Sequence, residues 1–160
     1  MQISKHFKLS EFIKSQVATR NGIKNMPGSG DIKNLGNVAY EILEPVRAKF
    51  EKPVMINSGY RCLELNRKIG SSDSSQHTKG MAVDFEIIGT PNIQVAYWVQ
   101  NNCDFDQLIL EFYRPDEDNA GWIHASYCDG NNRKQVLTFD GKSYTDGLPE
   151  MLWENGKVKI

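Results

Sequence analysis

The chain has 160 residues, with 19 Lys+Arg against 20 Asp+Glu for a formal charge of −1, and is 39% hydrophobic and 24% charged. That balance excludes a nucleic-acid binder or a membrane-surface protein, both of which need a concentrated positive field, and it excludes disordered and fibrous architectures. One domain over 1–160 is expected at this length, and no apolar run approaches the roughly 20 residues that span a bilayer.

The first residues hold no apolar stretch after their basic side chains and no small-residue cleavage site. They do not read as a secretory signal, and the expected place of synthesis and residence is the cytoplasm. Residues 1–30 read as an arm with one short helix, since Leu9-Ser10-Glu11-Phe12 offers a capping Ser and Met26-Pro27-Gly28-Ser29-Gly30 interrupts any regular structure. Over 31–50, Ile32, Leu35, Val38, Ile42, Leu43, Val46 and Phe50 recur at three- and four-residue steps. This spacing predicts an amphipathic helix, with a kink at Pro45. A short strand is expected over 53–57 and a short helix over 62–69. A second strand is expected over 81–88, then a helix over 92–101.

Segments 107–112 and 122–127 read as strands joined by a hairpin loop over 113–121 that is rich in turn residues. Residues 135–139 and Asp140-Gly141 suggest a further strand and turn, and the tail over 141–160, Trp153 included, carries no functional signal. Helices first and neighbouring strands later predict an α+β fold with a mainly antiparallel sheet packed against helices. Cys62, Cys103 and Cys128 are odd in number and lack short spacing. They read as reduced, mostly buried apolar residues rather than as disulfides or a Cys-based zinc site.

The stretch from Ser58 to Asp84 is the most informative. It holds a glycine-bearing polar loop, His77, Gly80 and Asp84, the last opening into an apolar strand. His124 lies inside a second apolar strand, where an imidazole needs a hydrogen-bond partner or a metal. Each residue taken alone fits an ordinary core histidine or strand-end Asp. Two imidazoles and one carboxylate together form a ligand set suited to Zn²⁺ with an open fourth position. His6, among basic and polar residues of the arm, reads as solvent-facing.

The run Ser58-Gly59-Tyr60-Arg61, then Asn66, then Ser75-Gln76-His77 with Gly80, Ala82, Val83 and Asp84, and finally Trp122-Ile123-His124-Ala125-Ser126-Tyr127, closely resembles the M15 family of zinc peptidases. These are D-alanyl-D-alanine carboxypeptidases and related cell-wall peptidases, which share their fold with the hedgehog signalling domain. The segments around His6 to Phe12 and Ala18 to Pro27, with the long helix, resemble the bacterial and phage subgroup, so the likeness covers roughly residues 6–140.

The resemblance implies one Zn²⁺ bound by His77, Asp84 and His124. It implies a carboxylate as general base, which many members place three residues before the last His. Gly121 stands there in this chain, and the subgroup pattern points instead to Glu111. A carboxylate closing the first strand of a hairpin can face the middle of the second if the register fits. Asp116, Glu117 and Asp118 are rival bases in the hairpin loop.

Arg61 is expected to hold a substrate carboxylate or polarise the scissile carbonyl. Ser75, Gln76 and Trp122 are expected to contact substrate or steady a ligand. The implied activity is zinc-dependent hydrolysis of the peptide part of peptidoglycan, as a D,D-carboxypeptidase or an endolysin-type endopeptidase released to the wall by phage lysis. The expected state is a monomer with no nucleic-acid or membrane partner. The alternatives are a zinc-bearing binding module without catalysis and a phage structural module of the same fold.

Overall fold

Short, largely apolar segments build the six-stranded sheet on which the rest of the chain is arranged. The computed structural model describes residues 1–117, 119–154 and 157–159. Two short helices come first, α1 (Leu9–Ile13) and α2 (Gln16–Asn21), where the sequence predicts one. Ser10 lies inside α1 rather than capping it, and the Lys8 backbone N–H donates to the Glu11 carboxylate at 2.7 Å instead. The second helix starts where the Ser15 hydroxyl accepts the Ala18 N–H, and it ends at Gly22 in the left-handed conformation.

The long amphipathic segment forms α3 (Ser29–Val38), a π-helical turn (Ala39–Leu43) and α4 (Glu44–Phe50). The kink expected at Pro45 takes the form of that wider turn, in which the Glu44 N–H reaches back to Ala39 O. Proline has no N–H to continue the α-helical ladder, and a π turn absorbs the mismatch. His6 is tied to this helix, with its Nδ1 2.6 Å from Glu44 Oε2 and its backbone N–H donating to Glu44 Oε1 at 2.7 Å. Phe7, Leu9 and Phe12 of the N-terminal segment are buried in the core.

Then come β1 (Met55–Ser58), α5 (Leu63–Lys68), a 3₁₀ turn (Gln76–Lys79), β2 (Ala82–Glu86), α6 (Asn92–Asn102), β3 (Gln107–Glu111), β4 (Trp122–Ser126), β5 (Gln135–Phe139) and β6 (Tyr144–Asp146). These six strands form one sheet in the order β1-β2-β4-β3-β5-β6, and a separate antiparallel pair joins β7 (Leu152–Glu154) to β8 (Lys157–Lys159). All sheet neighbours are antiparallel except β3 and β5. The fold is therefore α+β with a mostly antiparallel sheet, as the order of elements predicts.

Side chains alternate between the two faces of the sheet. Val83 and Phe85 of β2, Leu108 and Leu110 of β3, and Ile123 and Ala125 of β4 share one face and form the core with Val38, Ile42, Val95 and Val99 of the helices. Asp84, His124, Trp122, Ile109 and Glu111 occupy the opposite face by the same parity. Cys103 is buried and Cys62 and Cys128 are half-buried, all three with free thiols. Among the described residues no helix is long and apolar enough to cross a membrane.

The one parallel pairing follows from chain geometry. β4 ends beside the start of β3, so a strand that continues from there on β3's other edge must run parallel to it. Asp106 holds this crossing. Its buried carboxylate accepts the Arg133 N–H at 3.0 Å, Arg133 Nε–H at 2.9 Å and Nη2–H at 2.7 Å, and the Gln76 amide at 2.8 Å. Hydrogen bonds from the Arg133 side chain, opposed by burial, bring the Asp106 carboxyl from 3.8 down to about 2.

Because the folded value lies below the unfolded one, this carboxylate stabilises the fold fully above about pH 4 and loses that effect as the pH falls toward about 2. Urea midpoints of the native protein and Asp106→Asn are expected to differ by about 1–2 kcal/mol at pH 7, with the gap closing between about pH 4 and pH 2.

Candidate metal centre

His77 sits in the 3₁₀ turn, which closes at Gly80 in the left-handed conformation with φ +67°. A side chain at Gly80 would meet Asp31 O at 2.5 Å, so the turn packs directly against α3. The His77 Nδ1–H donates to Gly59 O at 2.6 Å, leaving the lone pair on Nε2 to face the sheet. Burial pushes the His77 imidazole below its ordinary value, against the pull of Asp84, and so favours this neutral form.

The β2–β4 register sets Asp84 directly opposite His124. One Asp84 oxygen, Oδ1, lies 2.9 Å from His124 Nδ1 and 3.4 Å from His77 Nε2. The two rings are 5.2 Å apart between centroids. One ligand atom from each of the three residues falls within a 4.8 Å group, and all three residues are buried. Burial by itself would raise the Asp84 carboxyl, but the two imidazoles beside it, His124 within hydrogen-bond distance, hold it well below the usual carboxylate range. Two imidazole nitrogens and one ionised oxygen, aimed inward from three elements with one imidazole already oriented by a backbone carbonyl, are a donor set that fits a single metal ion such as Zn²⁺.

Glu111 closes β3 opposite Trp122, two residues from His124 and on the same face. Burial, reinforced by the negative Asp84 and opposed by His124, Arg61 and Trp122, raises its carboxyl to about 7. A carboxyl with that affinity can both take and return a proton near neutrality.

Its position depends on a tight hairpin end. Phe112 adopts φ +54°, its N–H donates to Phe139 O at 2.8 Å, and Gly121 across the hairpin has φ +69°. A Cβ at Gly121 would lie 1.8 Å from Glu111 O. The family position at which a base would precede the last His by three residues therefore admits no side chain here.

Arg61 follows β1, with its backbone N–H donating to His77 O at 3.1 Å. Arg61 is half-buried, and its Nε is buried without a hydrogen-bond partner. Burial lowers its affinity for its proton, while the fields of Asp84 and Glu111 act in the opposite direction. The fold thus brings His77, Asp84, His124, Glu111 and Arg61 into one electrostatic neighbourhood.

Trp122 is half-buried beside Glu111, with its ring 5.0 Å from Phe112. Ser75 and Gln76 line a cavity of about 410 Å³ with His124 and Arg133, while the Gln76 amide is also engaged by Asp106 and Cys128. Asp116 and Glu117 are exposed, with Glu117 paired to Arg114. Asp118 lies outside the described residues.

Sequence reading does not identify the Gly59 carbonyl that orients His77, or the Asp106 anchor. Gly59 is glycine for a reason, since a Cβ there would lie 2.6 Å from Phe12 O, but that close approach is visible only in three dimensions. The Asp106 contacts join residues 30 and 27 positions apart, beyond any local pattern.

A family model described as Peptidase M15 matches residues 5–125, a span that contains His77, Asp84, Glu111 and His124. No curated protein matches the chain.

Gly121→Ala is expected to lose about 3 kcal/mol or more in urea unfolding, because both the positive φ and the backbone of Glu111 oppose a side chain. Gly130→Ala, which also has positive φ but open space around it, is expected to lose only about 1 kcal/mol.

Proposed function

The chain belongs to the peptidase M15 family, and from that premise we propose that it is a zinc-dependent peptidase acting on the peptide part of peptidoglycan. The observation that carries the reading is the inward group of His77, Asp84 and His124, with Glu111 raised to about 7 on the same face of the sheet. His77, Asp84 and His124 would hold the ion. Zn²⁺ in such a site supplies a Lewis acid that polarises a carbonyl and makes water nucleophilic near neutral pH.

The chain's own residues account for the remaining chemistry. The Glu111 carboxylate accepts the proton of the attacking water and delivers it to the leaving amine, so the same group serves as base and then as acid. The Arg61 guanidinium, close enough for its charge to act on Glu111 and Asp84, donates to the oxygen on which negative charge builds. Its buried, unpartnered Nε is consistent with a donor held ready for a substrate oxygen. Trp122 walls the Glu111 side and limits water around the carboxyl. Gly59 O keeps His77 in the tautomer that presents Nε2.

Zinc-loaded protein is expected to release peptides from purified peptidoglycan, with masses that name the bond cut, and chelation is expected to stop the release. Glu111→Gln is expected to reduce release by about 10²- to 10⁴-fold while the zinc content of the purified protein stays at one ion per chain. Unchanged release by Glu111→Gln would remove Glu111 as the base. No release from walls of differing composition by zinc-loaded native protein would overturn the peptidase reading. Arg61→Ala is expected to lower kcat by about 10²-fold, read by the same product assay at saturating wall concentration.

A further inference from the structure

Beyond Arg61 the surface opens into a groove of about 860 Å³ between α2, β1 and α5. Its apolar lining includes Val17, Ile56, Leu65 and Ile69. Its charged lining residues are Lys14, Arg20 and Arg61, and among the described residues no carboxylate lines it. None of these three cations takes part in any of the ion pairs of the described residues. Arg20 donates to Gln16 Oε1 at 3.5 Å, and Arg61 Nε is buried without a partner.

Three cations around one concavity repel one another, and the chain as a whole carries a net charge of only −1, so the excess is local. A buried guanidinium nitrogen left unpaired is unfavourable, and an incoming oxygen would relieve it. The apolar lining suits small aliphatic side chains, and the cationic rim suits carboxylates. Arg61 belongs to both the groove and the metal centre, so a chain lying in the groove leads to the reacting bond.

We propose that this groove is a binding subsite for a carboxylate-bearing segment of the substrate peptide, gripped at its outer end by Lys14 and Arg20. The assignment rests on the wall-peptidase reading for the identity of the peptide, and on the groove itself for the carboxylate. Lys14 and Arg20 are exposed and set affinity, while the groups around the metal centre set the rate.

The test uses the zinc-loaded 160-residue chain carrying Glu111→Gln, which binds without cutting. The probes are a synthetic peptidoglycan stem pentapeptide with free carboxylates and the same peptide with every carboxylate amidated, both titrated calorimetrically. The free-acid peptide is expected to bind more tightly, and Lys14→Ala with Arg20→Ala is expected to weaken it by about threefold to thirtyfold without affecting the amide. The charge-keeping pair Lys14→Arg and Arg20→Lys is expected to restore the preference. In the active background the double alanine variant is expected to raise KM and leave kcat unchanged.

Retention of the full preference for the acid peptide by the double alanine variant would overturn the subsite, as would failure of both peptides to bind. Loss of the preference together with no wall digestion by native protein would keep the subsite and overturn the peptidase reading.

Discussion

Asp84 is a carboxylate removed from water and set between two imidazoles, and most of the site's architecture follows from making that placement tolerable. Desolvation of a charge is costly unless opposite charge or hydrogen-bond donors meet it. Here β4 places His124 straight across the ladder, and the 3₁₀ turn lowers His77 from above. This convergence directs three ligand atoms at one point, where a cation would relieve both the carboxylate and the His77 lone pair that faces it. His77 is itself fixed by the Gly59 carbonyl, and Gly59 has room for no side chain because Phe12 of α1 lies against it. The N-terminal segment thus helps to hold the loop that orients a candidate ligand.

The sheet separates two tasks by parity. Alternate residues of β2, β3 and β4 either enter the apolar core with α6 and the long helix or reach the opposite face where the chemistry lies. A slip of one residue would exchange Asp84 with Val83 and His124 with Ile123, burying charge in the core and exposing the core to the site. The packed face therefore protects the register that the site requires. Asp106 reinforces it from the far side by binding Arg133 at the crossing into β5 and Gln76 beside His77.

A strained backbone conformation holds Glu111 in place. Phe112 adopts a left-handed conformation that non-glycine residues seldom take, and Gly121 supplies the matching bend with no side chain to obstruct it. This hairpin end places a carboxylate in a half-buried position beside Trp122, where burial keeps its proton affinity near neutrality. Arg61 limits that rise and also lines the adjoining groove.

Sequence by itself pointed to most of the element types and to the candidate donors of the site. Three-and-four spacing marked the long helix, alternation marked the strand over 81–88, apolar runs marked those over 107–112 and 122–127, and the resemblance to the M15 family drew His77, Asp84 and His124 together as candidate metal donors. These signals are local, because a helix or strand buries one face at a fixed period and a ligand must be a particular side chain. The second N-terminal helix, the π turn before Pro45 and the parallel placement of β5 were not legible, since each answers to packing or chain path. Tertiary structure alone decided that Glu111 shares a face with His124, that no side chain fits at Gly121, and that Lys14, Arg20 and Arg61 line one groove. The physical reason is that register, close approach and charge clustering join residues tens of positions apart, and only burial of the whole core brings them together.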